Sequence, residues 1–419
     1  MQLKMCAVLL SSLLCWPLAA SAEFQLKTDD RVVFFDDTLV HTQLFSKYVE
    51  TFVRVRYPEL KTRFFNSGRR NETAADGLSR LELELGMTSP TVVVVAFGLH
   101  DPGGQPFDDG RLAEFRKNIT AIAEGIQKLG ARTILLTPPR PIVQQLRSLP
   151  DINYVEVVGK YAQAIREVGK SRQIPVIDWF RSSSELYQND APQLPRRRQG
   201  ELLPKGLAHA VVAAQLLKHW QAEPIDVHIT ADWQSDTVSV SSGQAKVKTR
   251  TEEELKLKLS GVPLPWGVAG IRPQNLEAAL WPGAELCRYI LKIDNVPESG
   301  VNLVLGGRKI ALEREQLRRG VNIMGWPPIQ GRNRTLRDML VALSRKHRWW
   351  SEYRSKVRRG PPPEPELLEA FESSLRTFQL YEDGYAKLVM RLPKVFDVTL
   401  SFRVPPNETD ADEVKQAED

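Results

Sequence analysis

The stretch Pro90-Thr91-Val92-Val93-Val94-Val95-Ala96-Phe97, followed at once by Gly98-Leu99-His100-Asp101, decides the fold. An apolar run without polar alternation belongs to a strand covered on both faces, as in a parallel sheet flanked by helices. The glycine and polar residues behind it place a loop at the carboxyl end of that strand, where open α/β sheets carry their ligands. The pattern repeats outward in both directions. Upstream, residues 31–35 read as a buried strand, 44–57 have helical spacing, and 61–66 read as a second strand. Downstream, residues 111–129 form an amphipathic helix with Leu112, Phe115, Ile119, Ile122 and Ile126 on one face, stopped by Gly130. A strand over 132–137, a helix over 154–173, a strand over 174–178 and a helix over 206–220 complete the series. The spacing predicts a three-layer α/β/α parallel sheet.

The rhythm changes near Ile225. Short alternating strands are expected over 226–230, 237–241, 245–249, 254–259, 289–294 and 301–305, with Gly306-Gly307 as a hairpin turn. Residues 308–359 carry 15 lysines and arginines against 4 acidic residues, and 335–357 read as a helix with Leu336, Met339, Leu340, Leu343, His347 and Trp350 along one stripe. Pro361-Pro362-Pro363 stops that helix. Residues 361–419 are acidic, with 13 carboxylates against 6 basic side chains, and their last dozen residues read as a disordered end. The division is a signal peptide over 1–22, an α/β domain over 23–223, a β-rich insert over 224–307, a basic helical segment over 308–360 and an acidic segment over 361–419. The basic and acidic segments are expected to pack against one another.

A content of 42% hydrophobic and 26% charged residues excludes extended disorder and a multi-span membrane protein. The N-terminus has Lys4, an apolar run over 7–14 and Ala20-Ser21-Ala22, the pattern of a cleaved secretory signal. Export to the periplasm or the medium follows, with no stable membrane span in the mature chain. Cleavage removes Cys6 and Cys15 and leaves Cys287 alone, so no internal disulfide forms and Cys287 is expected in the core. No cofactor motif or metal-ligand spacing stands out, and the expected cofactor and metal are none.

The chemistry is expected where the strands end. Asp36-Asp37-Thr38 follows the first strand, Asn66-Ser67-Gly68 the second, and Gly98-Leu99-His100-Asp101 the third, while Gly200-Glu201-Leu202-Leu203-Pro204 leads to His209. In order and spacing these blocks resemble those of the SGNH/GDSL hydrolase family, whose domain is an SGNH/flavodoxin-like α/β fold. The exported multidomain type with a β-rich insert is the nearest pattern. The resemblance implies Thr38 at the nucleophile, Gly68 and His100 at the two oxyanion donors, and His209 as a second, helix-borne histidine. It implies Asp37, Asn66 and Asp101 as neighbours in binding.

The resemblance also implies losses. Leu203 stands at the base position and Gly200 at that of the orienting aspartate. Leucine cannot accept a proton, and removing one triad member costs several orders of magnitude in rate. Threonine is still a competent nucleophile if a base is present. Two readings stay open. One is an exported protein with an inactive ester-hydrolase site that binds carbohydrate or the cell envelope. The other is an ester hydrolase, of the carbohydrate acetylesterase kind, using Thr38 with His100 or His209 as a non-standard base. A carbohydrate ester or polysaccharide is the expected partner, and nucleic acid is not; the sequence leaves the oligomeric state open.

Overall fold

The computed structural model describes residues 25–37, 44–141, 150–188, 207–266, 285–305, 308–323, 334–359 and 395–405, with isolated helical positions between 369 and 387. Thr38, Gly200, Leu203, Gly306-Gly307, the signal segment and the acidic end lie outside the described residues.

Five strands, β1 (Arg31–Asp36), β2 (Arg63–Asn66), β3 (Val92–Ala96), β4 (Arg132–Leu136) and β5 (Val176–Ile177), form one sheet in the order β2-β1-β3-β4-β5. Every pairing in it is parallel. Every residue of β3 is buried, as an unbroken apolar run requires when helices cover both faces. One face carries α1 (Leu44–Arg56) and α6 (Leu207–His219). The other carries α2 (Ala74–Thr88), α3 (Asp109–Lys128) and α4 (Tyr154–Arg172). A further helix, α5 (Trp179–Gln188), follows β5. The expected three-layer arrangement is therefore present. Helix α2 was not anticipated from the sequence. Its polar start hides a capping box, in which Thr73 and Asp76 satisfy each other's backbone N–H groups.

Beyond Ile225 the chain builds two further sheets. Strands β6 (Ile225–Asp232), β7 (Val238–Val240), β10 (Cys287–Asp294) and β13 (Val321–Asn322) have the order β13-β10-β6-β7. Strands β8 (Gln244–Arg250), β9 (Glu254–Pro263), β11 (Val301–Leu305), β12 (Arg308–Leu312) and β14 (Val395–Arg403) have the order β12-β11-β14-β9-β8. A short helix, α7 (Arg314–Arg319), joins β12 to β13. The last strand, β14, comes from the acidic segment and lies between β9 and β11. Leu255, Leu257, Leu259, Leu400 and Phe402 turn inward and continue the core of the α/β domain. Trp266 bridges the parts. Its indole N–H donates to the Tyr48 carbonyl at 2.8 Å, and its ring meets Phe52 edge-on at 5.6 Å. Cys287 is buried beside it and accepts from the Trp266 backbone N–H.

The basic segment forms α8 (Arg334–Arg359), which lies across the exposed edge of β2. Side chains of α8 reach both faces of the sheet. On the α1 side, Lys346 Nζ donates to Glu50 Oε1 at 2.7 Å and to the edge carbonyl of Phe64 at 2.9 Å. His347 Nε2 lies 3.0 Å from Glu50 Oε2. On the α2 side, Trp350 meets Phe65 at 5.4 Å, and Arg354 donates to Glu84 at 2.9 Å. The described charged partners of this helix are thus buried carboxylates of the α/β domain. Most of the acidic segment, its expected partner, lies outside the described residues. Net charge ranks segments by total, whereas burial makes a single desolvated carboxylate the stronger partner.

Glu50 is fully buried, and burial alone would favour its neutral form. Lys346, Arg54 and His347 overcome that and hold its pKa far below the usual carboxylate range. His347 is pushed down to about 4 by burial, with Lys346 adding to the effect, so its ring is neutral at pH 7. Removing one partner from a buried charge cluster leaves the others uncompensated, at a cost of about 3–5 kcal/mol. Glu50→Ala is therefore expected to lower the unfolding free energy in urea by that amount. Exposed Glu82→Ala should change it by less than about 0.5 kcal/mol.

Candidate functional site

The site region follows from strand order. Because β1 lies between β2 and β3, the loops after these three strands leave the sheet side by side. They carry Asp37, Asn66 with Gly68, and His100 with Asp101. Asp37 is fully buried, and its N–H points to the Ala96 carbonyl at 3.5 Å. Thr38 follows it, outside the described residues.

The second loop is tightly held. Asn66 Nδ2 donates to Ser46 Oγ on α1 at 2.9 Å, and Asn66 Oδ1 accepts the Gly68 N–H at 3.2 Å. The N–H expected to serve an oxyanion is therefore engaged by a side chain two residues away, in an Asx-turn arrangement. Arginines hold the carbonyls of this region. Arg80 donates to the carbonyls of Ser67 at 2.9 Å and Asp36 at 3.1 Å, and Arg354 from α8 donates to that of Gly68 at 3.2 Å. Arg80 also lies over the Phe35 ring, 4.3 Å from its centroid. Glu84 joins Arg69, Arg80 and Arg354, while Glu72 pairs with Arg80 at 2.6 Å. Burial opposes ionisation of Glu84, but the guanidinium groups of Arg354, Arg80 and Arg69 win and lower its pKa.

None of these arginines was singled out from the sequence. The Arg80 and Glu84 pair at i,i+4 on one helix was a local signal. Arg354, which lies 286 residues beyond Gly68, had none.

The third loop is organised by Asp101. Its Oδ2 accepts the Gly98 N–H at 2.9 Å, and its Oδ1 accepts the Ala74 N–H at 2.8 Å, at the first turn of α2. Gly98 takes φ of 112°, open to glycine alone among common residues, and this turns the chain sharply out of β3. Helix α2 can approach because a Cβ at Gly77 would collide with the Phe97 ring. Asp101 thus ties the β3 loop to the start of α2. Burial raises its carboxyl to about 7 despite the two N–H donors. His100 beside it is partly buried, and burial lowers its pKa, so its ring is neutral at pH 7.

His209 has a different setting. It sits on α6, which packs on α1 and β5, and its ring meets Trp179 edge-on at 5.8 Å. It is 1% exposed, and its Nδ1 has no hydrogen-bond partner among the described residues. Burial pushes its pKa down to about 4. The fold brings Asp37, Asn66, Gly68, His100 and Asp101 to adjoining strand ends and places His209 in the core. Among the described residues, no three His, Cys, Asp or Glu side chains converge as a metal site would require.

The Asp101 carboxyl gives a pH signature. Its folded pKa, about 7, stands above its unfolded value of 3.8. The folded state keeps the proton longer, so this contribution to stability is complete below pH 4 and is lost as pH rises toward 7. Asp101→Asn is expected to remove that decline. Urea midpoints of the two proteins at pH 4.5 and 7.5 check it, and parallel slopes would show that the carboxyl is ionised throughout.

Comparison with known proteins agrees with this architecture. Residues 38–210 match the model of the GDSL-like lipase/acylhydrolase family. No curated protein sequence matches the chain significantly. Among solved structures, a gut microbial diltiazem-metabolizing enzyme superposes with a TM-score of 0.60 at 16% identity. The match covers 90% of this chain and 98% of that enzyme, so it includes the C-terminal sheets. A lipase/acylhydrolase from Enterococcus faecalis matches at 20% identity and a TM-score of 0.38, covering 46% of this chain and 95% of that one. An acetylxylan esterase from Geobacillus stearothermophilus matches at 17% identity and a TM-score of 0.40, covering 47% and 96%. With its parallel five-stranded sheet and its strand-end loops in order, the α/β domain has an SGNH/flavodoxin-like fold and, over residues 38–210, is similar to the GDSL-like lipase/acylhydrolase family.

Proposed function

We propose that the protein is a hydrolase-derived binding protein, exported after cleavage near Ala22, whose ester-hydrolase site no longer turns over and whose ligand is carbohydrate. The observation that carries this reading is the state of His209. Acyl transfer needs an imidazole within hydrogen-bond reach of the nucleophile. His209 is enclosed in the core against Trp179, and the resemblance implies Leu203 at the base position. The engagement of the Gly68 N–H by Asn66 supports the same reading, because an oxyanion hole needs donors free to meet developing charge. The carbohydrate ligand is a separate part of this proposal and is tested separately.

A second reading is favoured by one observation. His100 is neutral at pH 7 and follows the strand next to β1, whose last described neighbour is Asp37, so it is chemically able to act as a base for a threonine nucleophile.

Hydrolysis of p-nitrophenyl acetate separates the two. The native protein is expected to show no rate above that of Thr38→Ala. The triple variant Thr38→Ser, Gly200→Asp, Leu203→His restores the missing groups and should gain about 100-fold or more, the contribution of a positioned general base. Native turnover that disappears in Thr38→Ala, and falls with His100→Ala, would establish the second reading. A glycan array tests the ligand class, and no bound glycan would refute it.

A further inference from the structure

The outward face of the sheet β12-β11-β14-β9-β8 has a composition that its fold does not require. Inward positions alternate with outward ones along each strand. In β9, Leu255, Leu257 and Leu259 are buried, so Lys256 and Lys258 stand on the outer face. In β8, the exposed positions include Lys246, Lys248 and Arg250. Lys246 lies directly opposite Lys258 in the ladder. Lys248 falls where the register shifts, and the neighbouring charge of Lys246 lowers its pKa. Like charges placed opposite one another destabilise a strand pair, so the fold bears a cost here.

Register extends the pattern across the sheet. Lys256 lies opposite Ser401, Ser401 opposite Val304, and Val304 opposite the exposed Lys309. Three strand spacings separate Lys256 from Lys309, about 14 Å. Between these two basic rims the outward positions are short and mostly polar, with Thr399, Ser401 and Asn302 among them. Glu254 serves Lys256 and Arg403 at 3.0 Å each, and Arg250 pairs with Asp236. No ion pair involves Lys246, Lys248, Lys258 or Lys309 among the described residues. Lysines on an edge strand discourage edge-to-edge pairing, which accounts for β8. The same reason covers Lys309 on the other edge strand, β12, but it does not account for Lys258 on the interior strand β9.

We propose that this face binds a linear acidic polysaccharide, with the lysine rims meeting its carboxylates and the Ser, Thr and Asn positions meeting its hydroxyls. The chemistry favours this partner over other polyanions. Single-stranded nucleic acid is held by aromatic platforms, and none of these outward positions is aromatic. Attachment to an anionic membrane needs apolar side chains entering the headgroup layer, and this face offers Val304 and Ala311 alone among those positions. Lysine supplies compact charges without the planar fork that selects phosphate geometry. The site lies on a different sheet from the strand-end loops and is independent of whether those loops catalyse.

The test is titration of the full-length protein with polygalacturonate at 50 mM salt. Lys246→Gln/Lys248→Gln/Lys258→Gln is compared with Lys117→Gln/Lys128→Gln/Lys170→Gln, which removes the same charge from exposed helical positions. Binding by the native protein is expected to weaken at least tenfold in the first variant, with a shallower salt dependence, and to persist in the second. Unchanged thermal midpoints confirm that both fold. Absence of binding, equal weakening in both variants, or equal affinity for duplex DNA, anionic vesicles or neutral dextran would overturn the proposal.

Discussion

Two buried carboxylates govern the way this chain closes. Glu50 on α1 and Glu84 on α2 lie on opposite faces of the parallel sheet, close to its β2 edge. Neither can remain ionised inside the protein without cations. Arg54, Arg69 and Arg80 supply part of the compensation locally. The remainder comes from Lys346 and Arg354, nearly three hundred residues later. The helix that carries them must therefore cross the sheet edge. In doing so it covers the unpaired carbonyl of Phe64, a group that an open edge would present to another chain. The position of α8 follows from this constraint.

The same arginines reach the strand ends. Arg80 and Arg354 do not point into solvent to await a ligand; they bind the carbonyls of Asp36, Ser67 and Gly68 and fix the loop in one shape. Asp101 does the equivalent for the neighbouring loop by accepting from Gly98 and Ala74. A hydrolase needs rigid loops to position an oxyanion hole, and a binding protein needs them to avoid an entropic cost on association. Rigidity here is therefore consistent with descent from an enzyme, and its present use depends on which groups remain available. The Gly68 N–H is engaged by Asn66, and His209 is enclosed in the core against Trp179.

The sequence made the α/β domain legible because its signals are local. The valine run of β3, the one-sided stripe of α3 and the glycines after β2 and β3 are all read within a window of about 10–20 residues. Helix α2 escaped because polar residues precede it and its apolar face is short, with Gly77 where a core residue would normally stand. The strand-end residues Asp37, Asn66, Gly68, His100 and Asp101 were legible from their positions after strands. The commitments of Asn66 to Gly68 and of Asp101 to Ala74 were not, since each is one choice among several donors within reach. The basic segment was legible as a charged helix, but its buried partners in the α/β domain were not. Its described contacts run to two desolvated glutamates, which no charge count along the chain singles out.

The sequence by itself determined the elements of the α/β domain, their order and the residues that follow each strand, because hydrophobic period and turn chemistry act between near neighbours. Tertiary structure alone decided that β14 enters the middle of a sheet begun more than a hundred residues earlier. It alone seated α8 on Glu50 and Glu84, placed His209 behind Trp179 instead of beside the strand ends, and gathered lysines from three strands onto one face. Each of these depends on burial and on pairing between distant segments. Desolvation energies are properties of an environment, and no stretch of sequence carries its own environment.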